Sequence, residues 1–253
     1  MATLTSSEQR AVEGRLSVII PTLNEAQELP RCLAALARQQ DSRFEIERIV
    51  VDGGSTDDTL EVARQAGVDR LLETQAGRGR QLAAGAAAAT GSVLLFLHAD
   101  CRLPEGAMRR IEHTLGPEPF RGETCAGAFH VRHEWSTDAG PWVRRFVPLA
   151  DKRSHRTRHP YGDQAVFLTA DAYERCGGMP EQPLMEDLAF AKRLAALGPL
   201  TIVPLEVRTS ARRFEQHPVR TVLCWRTFPW LYRCGVSPER LVRWYGAARG
   251  TRK

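Results

Sequence analysis

Three carboxylates, Glu25, Asp52 and Asp100, each follow an apolar run, at Leu16–Ile20, Arg48–Val51 and Val93–Leu97. If those runs are parallel strands of one sheet, the acids share the rim beyond the strands' carboxyl ends, where open α/β sheets bind ligands. Asp52 precedes Gly53-Gly54, so its carboxylate can accept from a base or ribose edge while the glycines allow close backbone approach. His98-Ala99-Asp100 offers a carboxylate and an imidazole to a divalent cation. Mg2+ or Mn2+ is usually held by one or two carboxylates plus substrate phosphates, and an imidazole tilts the preference towards Mn2+. Glu186-Asp187 opens a predicted helix at the positive end of its dipole, where one carboxylate can serve as general base for a hydroxyl. Arg212-Arg213 can clamp a phosphate or diphosphate leaving group. Each signal has a plainer alternative: an acidic turn for Asp52, a structural histidine for His98, a helix cap for the Glu-Asp pair and a surface pair for the arginines.

The elements that must position these groups follow from patterning. Leu16-Ser17-Val18-Ile19-Ile20, closed by Pro21, is continuous rather than alternating, as strands buried on both faces are. Ala26–Arg38 carries Leu29, Cys32, Leu33, Leu36 and Ala37 at helical spacing. A second strand is predicted at Arg48–Val51, and Ser55 or Thr56 can cap a helix over Thr59–Ala66 that Gly67 stops. Val68–Glu73 reads as a third strand. Gln81–Ala89 reads as an alanine-rich helix after the turn Gly77-Arg78-Gly79-Arg80, and Val93–Leu97 as the next strand. Such alternation predicts an α/β fold with a mostly parallel central sheet flanked by helices. Residues 117–160 have weak periodicity and are expected to form a mixed region with a mobile loop around Asp151–His159. A strand at Ala165–Leu168, helices at Ala170–Cys176 and Glu186–Leu197, and a strand at Leu200–Val203 follow. Thr221–Ala248 is predicted helical, interrupted near Gly235 and Pro238, and carries Trp225, Phe228, Trp230, Tyr232, Trp244 and Tyr245.

The 253 residues, 43% hydrophobic and 26% charged, exclude a disordered or fibrous chain. No apolar run reaches the roughly 18–20 residues of a spanning helix, and the polar stretch Met1–Arg15 lacks the apolar core of a secretory signal. A cytoplasmic protein is expected, with contact at the cytoplasmic face of a membrane as an option. Six scattered cysteines without a C-x-x-C pair fit reduced thiols. The net charge of +5 hides an asymmetry: residues 1–100 carry −4, whereas residues 205–253 hold eleven basic and three acidic side chains. A basic segment of that kind suits an anionic partner or a solvated arginine face.

The order of the motifs is more specific than any one of them. Ser17-Val18-Ile19-Ile20-Pro21-Thr22-Leu23-Asn24-Glu25 followed by Val50-Val51-Asp52-Gly53-Gly54-Ser55-Thr56-Asp57 resembles the opening of family 2 inverting glycosyltransferases with the GT-A (nucleotide-diphospho-sugar transferase) fold. The resemblance continues at Ala99-Asp100, where the family has its Asp-x-Asp metal motif, and at Glu186-Asp187, its catalytic pair. His98 departs from the pattern, standing where that motif has its first Asp. The resemblance implies inverting transfer of a sugar from a nucleotide-diphosphate donor to an acceptor hydroxyl, with a divalent cation, Mn2+ or Mg2+. It implies Pro21, Thr22, Leu23 and Glu25 along the nucleotide, Asp52 at the base, Arg80 near the donor phosphates, Asp100 at the metal, and Asp187 as base beside Glu186. With His98 at the departing position, either Asp100 suffices with His98 as an unusual ligand, or the metal is held mainly by the donor's phosphates. Asp163-Gln164 is a candidate for orienting the acceptor. The chain is similar, more closely, to a bacterial subgroup labelled arsenosugar-biosynthesis-type glycosyltransferases. That similarity lies at Gly79-Arg80-Gln81, Leu95–Asp100, Gly162-Asp163-Gln164, Leu184–Asp187 and Thr209–Arg213.

The expected organisation is a flexible N-terminus (1–15), a GT-A domain (16–215) and a basic aromatic helical extension (216–253). Within the domain, a nucleotide-binding half (16–100) precedes an acceptor half (101–215). Two alternatives stand beside the transferase. A nucleotidyltransferase would need a triphosphate-gripping loop, which Gly77-Arg78-Gly79-Arg80 imitates poorly, and no Gly-x-Gly-x-x-Gly turn or P-loop follows the strands. A non-catalytic nucleotide- or membrane-surface-binding protein would use the C-terminal arginines and aromatics. No specific nucleic-acid binding is expected, and a lipid-linked acceptor would account for the arginines.

Overall fold

The computed structural model describes residues 12–39, 42–116, 124–155, 157 and 159–247. The first half alternates strand and helix: β1 (Val12–Thr22), α1 (Leu29–Ala37), β2 (Glu45–Asp52), α2 (Thr59–Gln65), β3 (Arg70–Glu73), α3 (Arg78–Ala88) and β4 (Gly91–Phe96). Then come β5 (Cys101–Arg102), α4 (Ala107–Leu115), β6 (Ala126–Glu134), α5 (Pro141–Ser154), a 3-10 turn at Gly162–Gln164, β7 (Phe167–Thr169) and α6 (Ala170–Arg175). The chain continues through α7 (Glu186–Ala195), β8 (Thr201–Ser210), α8 (Arg212–Gln216), α9 (Pro218–Arg233) and α10 (Pro238–Ala247).

All strands join one sheet in the order β3-β2-β1-β4-β7-β6-β8-β5. The pairs β1–β2, β1–β4, β2–β3 and β6–β8 are parallel, whereas β7 and β5 pair antiparallel with their neighbours. Strand order reverses at β1, because β2 and β3 build outward on one side and β4 on the other. Such a switch point opens a crevice at the strands' carboxyl ends. Side chains of β1 alternate between two apolar layers. Leu16, Val18 and Ile20 pack towards α1 and α4, and Ile19 packs towards α3 and α7. Each such burial contributes about 1.5–3 kcal/mol. Both faces of Leu16–Ile20 are therefore dry, which is why that stretch of β1 carries no charge. A smaller cluster joins Val143, Val147 and Ala150 of α5 to Phe214 of α8 and to Val222 and Trp225 of α9.

The α3 layer sits very close to the sheet. A Cβ on Gly85 would lie 2.4 Å from Ile19 Cγ2 and 3.0 Å from Val51 Cγ2, both on buried β-branched side chains with no room to turn. Gly85→Ala gains helix propensity of up to about 1 kcal/mol but overpacks this contact. A net loss of about 1–2 kcal/mol is expected in denaturant unfolding; an unchanged midpoint would refute the tight packing.

Several sequence expectations are corrected. The segment around 151–159, expected as a mobile loop, is α5 as far as Ser154. Its apolar periodicity is diluted by Pro148 inside the helix and by basic residues. β6 went unpredicted because His130, Arg132 and His133 break its apolar run. β8 is ten residues long rather than four, with a register shift around Pro204-Leu205 where β6 steps from Phe129 to His130. Pro204 is tolerated there because a bulge needs no ladder N–H. Neither Ser55 nor Thr56 caps α2: the helix starts at Thr59, whose N–H donates to Asp57 Oδ1 at 3.0 Å. α3 begins three residues before its expected start. Residues 12–15, assigned to a flexible N-terminus, are already in β1, and residues 1–11 lie outside the described ones. So do residues 117–123 and the side chain of Tyr245. Among the described residues no helix is long and apolar enough to cross a membrane.

Candidate active site

The ends of β1 and β2 are in register, Thr22 opposite Asp52. Asp52 is wholly buried and accepts from Thr22 Oγ1 (3.0 Å), Gly54 N (2.8 Å), Ser55 N (2.7 Å) and Ser55 Oγ (2.5 Å). Both carboxylate oxygens are thus engaged in ordering the 52–55 loop. Gln81, buried in α3, donates to the carbonyls of Thr22 and Val51 at 2.8 Å each and ties the helix across both strand ends. Pro21 and Thr22 are buried and Leu23 is exposed on the rim. Glu25 follows, its N–H donating to Thr59 Oγ1 at 2.8 Å and its carboxylate paired with Arg212. Burial raises the Glu25 pKa against the pull of Arg212.

Beyond β4 the loop 97–100 carries the second constellation. One ligand atom each from His98, Asp100 and Cys101 lies within 4.8 Å of the others. His98 Nε2 is buried with no hydrogen-bond partner. Burial, reinforced by Arg78, lowers the His98 pKa to about 4, so the ring is neutral near pH 7. Burial alone would raise Asp100, but Arg213 and then His98 and Arg212 hold its carboxyl below the usual range. A neutral imidazole with an unused nitrogen beside an ionised carboxylate suits a divalent cation, so the residues fit one.

The third constellation is the start of α7. Met185 takes a left-handed conformation (φ 61°), unusual for its type, and so turns the chain sharply into Glu186. Glu186 is buried and forms an ion pair with Arg78. Asp187 Oδ2 accepts from Gly162 N at 3.1 Å and lies 3.5 Å from Arg78 Nη2, while Oδ1 accepts from Leu188 N at 2.7 Å. Burial raises the Glu186 pKa, with Arg78 opposing it. Two glycines permit these approaches. A Cβ at Gly79 would meet the Pro180 carbonyl at 2.3 Å, and one at Gly162 would meet His98 Nε2 at 2.8 Å.

Asp187, Asp100, His98 and Arg213 face one cavity of about 220 Å³, together with Arg78 and Asp163. Burial raises the Asp163 pKa. The opposite wall comes from α5, α8 and α9, with Arg153, Phe214, Trp225 and Phe228 among its residues. Arg153 stacks between Tyr161 and Trp225, its guanidinium carbon 3.8 and 4.3 Å from the two ring centres.

The expected residues are thus brought together unequally. Asp100, His98, Asp187 and Arg213 converge on the cavity. Glu25 and Arg212 form their own pair, with Arg212 Nη2 3.9 Å from Asp100. Pro21, Thr22, Leu23 and Asp52 lie at the β1–β2 ends outside the cavity lining. Arg80 is exposed, hydrogen-bonded to Gln75 at 2.6 Å and 3.8 Å from Glu181. Arg78, two residues earlier, is the arginine of this turn that lines the cavity. Arg78, Arg153 and His133, which also lines the cavity, are not among the sequence-based candidates.

The glycosyl transferase family 2 pattern matches residues 17–175. A PGL/p-HBAD biosynthesis glycosyltransferase of Mycobacterium tuberculosis is 30% identical over 251 residues, covering 83% of this chain and 96% of that one. An uncharacterized glycosyltransferase of the same species is 30% identical over 195 residues, covering 72% of this chain and 83% of that one. Among solved structures, mannosyltransferase PcManGT from Pyrobaculum calidifontis, in complex with GDP-Man and Mn2+, superposes with a TM-score of 0.62 at 22% identity. That match covers 89% of this chain and 66% of that one. S. aureus TarS 1-349 gives a TM-score of 0.60 at 17% identity, over 78% of this chain. The chain spans about 60% of the length of that solved protein. At these identities the solved structures carry the fold, which is GT-A-like. The family pattern, together with relatives of near-equal length at 30% identity, makes this chain a glycosyltransferase belonging to glycosyl transferase family 2.

Proposed function

We propose that the chain transfers a sugar, with inversion, from a nucleotide-diphosphate donor to an acceptor hydroxyl, with Asp187 as general base. The observation that carries this reading is the convergence of Asp187, Asp100, His98 and Arg213 on one cavity. Asp187 takes the hydroxyl proton as the acceptor oxygen bonds to the anomeric carbon, and the bond from that carbon to the diphosphate breaks on the opposite face. A single in-line displacement inverts the centre. Gly162 N–H and Arg78 hold the Asp187 carboxylate in position for this proton transfer. Glu186, behind it, anchors Arg78. The nucleotide lies over the β1–β2 ends along Pro21, Thr22, Leu23 and Glu25, with Asp52 shaping the base end. Arg212 and Arg213 stabilise charge on the departing diphosphate, and Arg80 approaches the donor phosphates from the rim. His98 and Asp100 would hold a divalent cation, Mn2+ or Mg2+, which when bound supplies positive charge next to the diphosphate. Asp163 orients the acceptor. A cytoplasmic site of action, a lipid-linked acceptor and acceptors of the arsenosugar type belong to this same reading.

Thermal shift against nucleoside diphosphates and nucleotide-sugars, with and without Mn2+, tests it. A ligand at about a hundred times its dissociation constant adds about 2.7 kcal/mol, or roughly 5–10 °C for a chain of this size. One nucleotide should raise the midpoint, and Mn2+ should add to the shift. Asp100→Ala should abolish the Mn2+ increment while leaving part of the nucleotide effect. No shift with any nucleotide at millimolar concentration would sink the donor site. Release of pyrophosphate instead of a nucleoside diphosphate would favour nucleotidyl transfer.

A further inference from the structure

The exposed large apolar residues are unevenly placed. Of Leu23, Trp135, Trp142, Leu149, Val219, Leu223, Trp230 and Trp244, all but Leu23 fall between the end of β6 and α10, and five of them lie on α5 and α9. On α9 the exposed positions are Val219, Leu223, Arg226, Trp230 and Arg233, spaced four, three, four and three residues apart. They form one stripe along the helix. α5 repeats the device with Trp142, Arg145, Leu149 and Lys152, spaced three, four and three residues apart. Trp142 also stacks on Phe146 at 5.1 Å between ring centres. The two helices meet through Val143, Val147, Val222 and Trp225, and the stripes lie on their solvent-facing sides.

Neither stripe contains a carboxylate. α9 has no acidic residue at all, and the one acid of α5, Asp151, is turned to His133 at 2.6 Å. A helix face that mixes tryptophan and aliphatic side chains with Arg and Lys is the pattern that enters the headgroup zone of a bilayer. Its apolar groups reach the acyl boundary while its cations meet anionic lipid. A second copy of this chain would bring like charges together. Nucleic acid would leave Val219, Leu223 and Leu149 without a stacking role.

We propose that the solvent-facing stripes of α5 and α9 dock the protein on an anionic lipid bilayer. The inner face of α9, with Thr221, Cys224, Trp225 and Phe228, walls the cavity that Asp187 faces. The docked surface and the acceptor side of the cavity are therefore two faces of one helix, so an acceptor carried on a lipid could reach Asp187 from the bilayer edge. That consequence rests on the transferase reading above, whereas the docking itself does not.

Co-sedimentation of the full chain with phosphatidylcholine vesicles, and with equal parts phosphatidylcholine and phosphatidylglycerol, tests the surface. The protein should pellet with the anionic vesicles only, and about 0.5 M salt should release much of it. Each cation near such a surface contributes about fivefold to partition, so Arg226→Gln with Arg233→Gln should weaken binding at least about tenfold. Leu223→Ser with Trp230→Ser should weaken it too, as should Trp142→Ser with Leu149→Ser; a purely electrostatic contact would not respond to either. All these positions are exposed, so the melting midpoint should stay where it is in the parent. Parent protein left in the supernatant, or variants that pellet like it, would overturn the proposal. So would self-association, or capture of a single-stranded RNA, lost in the same variants without vesicle binding. The nucleotide-induced shift on the same preparations separates the two readings: retained without vesicle binding it sinks only the surface, and absent with vesicle binding it sinks only the donor site.

Discussion

Asp187→Asn is expected to lower turnover by about 10²–10⁴, the usual contribution of a positioned general base. The variant should still show the nucleotide-induced thermal shift. Asn keeps the volume but cannot take the acceptor's proton, and its amide cannot accept through both ends. In the parent one oxygen accepts from Leu188 N at 2.7 Å and the other from Gly162 N at 3.1 Å, so the amide N–H2 must face one of these donors. A stability cost of about 1–2 kcal/mol should accompany the catalytic loss. In the proposed reading the donor lies over the β1–β2 ends, which this side chain does not touch. Release of nucleoside diphosphate, measured with any acceptor that supports turnover of the parent, is the check. A variant with more than about a tenth of the parent rate would remove Asp187 from the role of base.

Arg78→Met is expected to damage both stability and turnover, in a way that depends on pH. Arg78 is the cation beside Glu186, whose side chain is only 2% exposed, and it also lies 3.5 Å from Asp187. Removing one partner of a buried ion pair typically costs about 3–5 kcal/mol. The Arg78 side chain is 32% exposed, so solvent moderates the effect and about 2–3 kcal/mol is expected near pH 7. The sign with pH follows from Glu186. Burial already raises its pKa, and Arg78 opposes that shift; without the arginine the folded value rises further above the unfolded one. A carboxyl with a raised folded pKa destabilises the fold increasingly as pH climbs above its unfolded value. The deficit of the variant should therefore be largest at neutral pH and shrink as pH falls towards the unfolded value of a glutamate, because Glu186 takes up its proton over that range. Glu186→Gln in the same chain should restore much of the loss, because both charges are then gone. Denaturant unfolding of the single and double variants at two pH values measures this, and a deficit independent of pH would refute the assignment. Turnover should fall with stability restored, since Asp187 then lacks the guanidinium that holds it.

Much of this protein is legible along the chain. The stretches Leu16–Ile20 of β1, Ile49–Val51 of β2 and Val93–Phe96 of β4 are buried on both faces and carry no charge, and the helices between them bury one face each and repeat at helical spacing. Those local patterns place Glu25, Asp52 and Asp100 at strand ends, and a sheet of alternating strands and helices leaves its ligand crevice there. The start of α7 at Glu186 is equally local.

What only the tertiary structure decided lies where sequence-distant groups meet. Arg78 and Arg80 stand two residues apart, about 200° round a helix, so which of them enters the cavity depends on where α3 begins and on Gly79 packing against the Pro180 carbonyl. The far wall of the cavity comes from α5, α8 and α9: α9 is expected helical from Thr221, whereas the periodicity of α5 is obscured by Pro148, its basic residues and the solvent-exposed Trp142 and Leu149. Glu25 meets Arg212 across 187 residues of chain, and Arg78 meets Glu186 across 108. Spacing along the sequence reports which face of an element is apolar, because that depends on residues a turn or a pleat apart. It carries no record of which buried charge another charge will neutralise, since that choice is made by the packing of whole elements.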